Sequence, residues 1–142
     1  MNRDDTESGM SKNFARSFAA LGTKLQNPRS DWSAVSPDGN KVAISIWRDE
    51  LDYTDRSRPV FDCRKHKDIA TWSTYRGNQK RKEHLRHALE NCDGRFSVVL
   101  LTAVDTDVLP REIREASPWQ MVGVITHFEP DSGGFRAEFL KP

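Results

Sequence analysis

Phe96-Ser97-Val98-Val99-Leu100-Leu101-Thr102-Ala103-Val104 decides the fold of this 142-residue chain. A near-continuous apolar run of this length suits a strand buried on both faces, at the centre of a sheet. Just upstream, Gly77 to Asn91 reads as a helix that Asp93-Gly94 closes. Its apolar stripe is Leu85, Ala88 and Leu89, and Lys80, Arg81, Lys82 and Arg86 are assigned to its wet side. Downstream, Pro110 suits the first turn of a short helix, Arg111 to Ala116. A hairpin follows: a strand from Trp119 to Phe128, a turn over 129–134, and a return from Phe135 to Leu140. In the return, Phe135, Ala137 and Phe139 alternate with polar residues.

Farther upstream lies another hairpin. Trp32 to Val35 and Lys41 to Trp47 flank Ser36-Pro37-Asp38-Gly39-Asn40, where Asp-Gly supplies the left-handed conformation of a tight turn. Val42, Ile44 and Ile46 mark the core face, which puts Trp47 on the opposite one. Asp49 to Trp72 reads as a long loop with one short strand around Pro59-Val60-Phe61. A helix is expected from Ser11, its cap, to Gly22, with Phe14, Phe18 and Leu21 at helical spacing. Residues 1–9 are polar and acidic and read as a disordered tail, leaving 10–142 as one domain. The expected class is α+β: a bent, mostly antiparallel sheet of five or six strands, or a small β-barrel, with two or three helices at its rim.

No run of about 18 apolar residues is present, so no membrane partner is expected. The first nine residues lack an apolar signal core, and two cysteines make no disulfide framework, so the expected location is the cytoplasm. The net charge of +1 hides an asymmetry. Arg56 to His87 holds ten Lys or Arg against three acids, a balance of +7; the remaining twelve bases and eighteen acids give −6. A local field of one sign attracts an anionic partner whatever the net charge. Nucleic acid is the expected partner. An acidic protein, or self-association of the two halves, is the alternative, which would make the chain an adaptor or inhibitor.

Three groups of residues could carry chemistry. Cys63, His66, His84, His87 and Cys92 lie within thirty residues and are candidate zinc ligands, since short spacings let one turn present two of them. A small metal-dependent nuclease would be the corresponding enzyme. Catalysis otherwise finds little support, because Glu138-Phe139-Leu140-Lys141 has the wrong spacing for a Glu-x-Lys nuclease triplet and no nucleophile elbow occurs. The third group is aromatic: Trp32, Trp47, Trp72 and Tyr75, interleaved with Arg64, Lys65, Lys67, Arg76, Lys80, Arg81 and Lys82. Rings that stack on bases, with cations that hold phosphates, are what nucleic-acid recognition needs.

The element order over 27–140 resembles the PUA superfamily and, within it, the EVE-type readers of modified bases. The stretch from Phe96 to Asp105 followed by Pro110-Arg111-Glu112-Ile113 carries the likeness. The resemblance implies a small bent β-barrel with an aromatic cage, here placed on Trp32, Trp47, Trp72 and Tyr75. It also implies binding of a modified or flipped base without catalysis or cofactor, in a bacterial or phage defence setting.

Overall fold

The computed structural model describes residues 13–108 and 111–142. The expected tail, the Ser11 cap and Pro110 lie outside them. Helix α1 covers residues 13–20 and ends at Gly22, whose φ of +81° is the left-handed turn-off. Strands β1 (Ser33–Val35) and β2 (Val42–Trp47) form the first hairpin, and a 3-10 turn, Arg48–Glu50, follows. The long connection carries β3 (Val60–Asp62) and a short helix α2 (Ile69–Trp72). Helix α3 (Arg76–Asn91) leads into β4 (Arg95–Ala103), β5 (Ile113–Phe128) and β6 (Phe135–Leu140).

The protein is α+β. Its six strands form one open sheet in the order β1-β2-β4-β5-β6-β3, with β1 and β3 at the edges, rather than a closed barrel. Every pairing is antiparallel except β2 with β4, where α3 occupies the crossover. The alternation along β2 and β4 divides the core in two. Val42, Ile44, Ile46, Val98 and Leu100 face α3 and pack with its Leu85 and Ala88 and with Phe135, Ala137 and Phe139. Ala43, Val99 and Leu101 face the other way, onto Phe14 and Phe18 of α1 and Leu25. Each fully buried side chain of this size contributes about 1.5–3 kcal/mol, so β4, apolar on both faces, ties the two clusters together.

The helix expected over Arg111 to Ala116 is not formed. From Ile113 this stretch is already β5, paired with β4 as far as Ala103. Ile113 and Ala116 pack on the α1-side cluster, and the open edge of β4 supplies the hydrogen bonds that a lone helical turn would lack. Pro118 falls in the half of β5 that β6, which ends with Leu140 opposite Val122, does not reach. A strand edge tolerates the missing N–H there. Among the described residues no helix is long and apolar enough to cross a membrane.

Candidate nucleic-acid interface

Three of the four cage aromatics come together, and a histidine extends the row. Trp32 precedes β1, Trp72 ends α2 and Tyr75 caps α3. Ring centroids step 5.9 Å from His66 to Trp72, 6.3 Å from Trp72 to Trp32 and 6.4 Å from Trp32 to Tyr75, all edge to face. Gly77 permits this packing, because a Cβ there would overlap the Trp32 ring. His66 holds α2 in place. Its Nδ1 accepts from the Trp72 indole N–H at 3.2 Å and the Asp68 backbone N–H at 3.1 Å. Two donors on Nδ1 place the ring proton on Nε2, which donates to Glu50 at 3.1 Å. His66 and Glu50 were not legible as part of the row: His66 reads by its spacing from Cys63 as a candidate metal ligand, and Glu50 belongs to no spacing pattern.

Trp47 does not join the cage. It packs beside the α1-side cluster, across the sheet, with the Arg111 guanidinium 5.2 Å from its ring. Arg111 in turn donates to both oxygens of Asp49, at 2.8 and 2.7 Å. The reason is the period of two along β2: Trp47 stands one residue beyond Ile46 and so points away from α3.

Arg81 also departs from its expected place. It is 6% exposed and belongs to the buried stripe of α3 with Gly77, Asn78, Leu85 and Ala88. It lies four residues from both Gly77 and Leu85, on the same side of the helix. Its guanidinium carbon is 4.9 Å from the Trp32 ring centroid, 5.3 Å from Trp72 and 5.1 Å from Phe135. The space where Trp32 and Trp72 would sandwich a base is therefore filled by the protein's own planar cation. Among the described residues no carboxylate forms an ion pair with Arg81. Among the described residues it makes one hydrogen bond, a long one of 3.4 Å from Nη2 to Asn78 Oδ1, and its Nε meets no acceptor. Burial pulls its pKa below the ordinary guanidinium value. Asn78 is oriented by donating from Nδ2 to the Ser73 and Ser132 carbonyls, at 2.9 and 2.8 Å.

The basic residues differ in how far they are engaged. Arg64 forks onto Asp62, Lys82 donates to the Asp131 carbonyl at 3.1 Å, and Lys80 lies 3.6 Å from Glu83. Arg76 is half exposed, with Nε 3.7 Å from the buried Asp31 carboxylate. Lys65 and Lys67 are exposed and flank His66, with no ion pair among the described residues. The row of rings thus has Lys65 and Lys67 at one end and Arg76 at the other.

The five candidate metal ligands are dispersed. Cys63 is buried against the Phe135 carbonyl, and burial raises its thiol pKa against the opposing field of Arg81. His66 is engaged as described. His84 Nδ1 lies 2.6 Å from the Ser33 hydroxyl, and burial lowers its pKa. His87 Nε2 donates to the Gly39 carbonyl at 2.7 Å, and Cys92 Sγ lies 3.5 Å from the Asn40 carbonyl. These last contacts pin the β1–β2 turn to the end of α3. Among the described residues no three His, Cys, Asp or Glu side chains are grouped to hold a metal ion.

Two open hollows, of about 460 and 320 Å³, are lined by Phe128 to Ser132 and by residues of the β1–β2 turn, β4 and Val122; neither is lined by the rings. No protein-family model matches the chain, and neither a curated protein nor a solved structure matches it.

Proposed function

We propose that this protein is a nucleic-acid-binding module working in the cytoplasm, and that it binds through the surface formed by the loop before α2, α2 itself and the start of α3. The observation that carries the reading is the row His66–Trp72–Trp32–Tyr75, bordered by Lys65, Lys67 and Arg76. The cations attract phosphates, and the rings offer flat apolar surface to bases. A reader that takes a modified or flipped base between Trp32 and Trp72, as the PUA-type resemblance implies, would first have to move Arg81 out of that space. The surface reading requires no such rearrangement.

Fluorescence anisotropy with labelled oligonucleotides tests the proposal. Binding at about 50 mM salt is expected to weaken steeply toward about 200 mM, because each neutralised phosphate adds roughly −0.7 to −0.9 to the slope of log K on log salt. Replacing Lys65, Lys67 and Arg76 together by Gln is expected to lower affinity at least about tenfold and to flatten that slope by about two units. No binding at low salt, or unaltered affinity in the triple variant, would overturn the proposal.

A further inference from the structure

Resting on the binding reading above, we infer that the partner is a single strand, DNA or RNA with unpaired bases, and that Tyr75 is the ring on which a base stacks. Two independent features of the surface lead there. The first is the uneven exposure of the rings. Trp32, Trp72 and His66 are half-buried, whereas Tyr75 has 52% of its surface exposed. Its edge-to-face contact with Trp32, at 75°, orients the ring from one side and leaves the rest to solvent. Arg76, the next residue, is half exposed and stands where a phosphate adjoining a stacked base would be met. A ring projecting from a surface can stack only on a base with a free face, and inside a duplex both faces of every base are covered by its neighbours.

The second feature is what α3 lacks for the alternative. A helix that reads a duplex enters the major groove with a basic exposed face. The exposed residues of α3 after Arg76 are Gln79, Glu83, Arg86, Leu89, Glu90 and Asn91, one cation against two acids. Of its other cations, Lys80 lies near Glu83, Lys82 donates to the Asp131 carbonyl and Arg81 is buried. The positive charge is therefore concentrated at the ring row and not along a helix able to fill a groove.

The test compares one labelled strand, free and annealed to its complement, at about 50 mM salt, for wild type, Y75A and Y75F. A single strand is expected to bind at least about tenfold more tightly than the duplex. Y75A is expected to lose about tenfold on the single strand and little on the duplex, and Y75F to keep wild-type binding, because stacking uses the ring and not the hydroxyl. A strand carrying 5-bromouracil is expected to photocross-link to Tyr75, located by peptide mass spectrometry. Urea denaturation of Y75A checks that the fold is retained. Equal binding to strand and duplex, or an unaffected Y75A, would overturn the single-strand inference while leaving nucleic-acid binding in place. Absence of binding to either would overturn both.

Discussion

Two corners of this molecule place an arginine over a tryptophan, and they are built differently. On the α1 side, Arg111 covers Trp47 and meets a complete counter-charge in the two oxygens of Asp49. On the α3 side, Arg81 contacts Trp32, Trp72 and Phe135, is deeper, and among the described residues has only a long hydrogen bond to Asn78. The first corner is a clamp that joins the end of β2 to the segment before β5. In the second, desolvation of a cation is offset by ring faces, each worth up to about 2 kcal/mol when water is excluded, and not by an ion pair. A site built for stability alone is often served as well or better by an apolar side chain of similar size. The contrast marks the α3 corner as the one whose composition needs a reason beyond folding.

The largest expected effect is at Arg81. R81A removes the filling of a space walled by three rings and strands Asn78 Oδ1, so urea unfolding is expected to show a loss of about 3 kcal/mol. R81M keeps most of the volume without the charge and is expected to be within about 1 kcal/mol of wild type, or more stable. If R81M were as damaging as R81A, the guanidinium itself would be holding the corner together and the contrast with Arg111 would collapse. Gly77 comes next. G77A drives a methyl group into the Trp32 ring and is expected to cost about 1–3 kcal/mol and to perturb tryptophan fluorescence.

The two corners also differed in how far they could be read beforehand. The central strand and the first hairpin were legible because a continuous apolar run and a period of two have few other readings. The same period puts Trp47 across the sheet from the α3 side, so its grouping with the other aromatics conflicted with a pattern already visible in Val42, Ile44 and Ile46. Arg81 was misplaced for a different reason. Helical spacing from Leu85 points it inward, but its charge argued for solvent, and only the three rings, drawn from β6, α2 and the loop before β1, make an inward guanidinium tolerable. The start of β5 was hidden because Pro-Arg-Glu-Ile is locally a good helix start; its partner, the edge of β4, is contributed by tertiary structure.

A smaller effect is expected at His84, which the α3 side partly buries against Ser33. Because burial lowers its folded pKa, the unfolded chain takes up the proton first as pH falls through about 6.5. Unfolding free energy should therefore rise with pH from about 5 to 7, and H84Q, which keeps a hydrogen-bonding partner for the Ser33 hydroxyl but cannot titrate, should flatten that dependence. A slope unchanged in H84Q would assign the dependence to other groups and remove His84 from the list of charges the α3 side excludes.

The smallest effect tests the other half of the comparison. If the Arg111–Asp49 corner is an ordinary clamp, its two charges act through each other, and a double-mutant cycle with R111Q and D49N should return a coupling of about 0.5–1 kcal/mol. That coupling should shrink in high salt, because both side chains keep some exposure, Arg111 17% and Asp49 33%. No such cycle can be drawn for Arg81, since no carboxylate pairs with it among the described residues, and R81M should respond to salt as wild type does. A salt-insensitive coupling at Arg111 would mean that its contact with Trp47, and not the carboxylate, holds that corner. The two corners would then be one device used twice, and the missing counter-charge beside Arg81 would no longer set the α3 side apart.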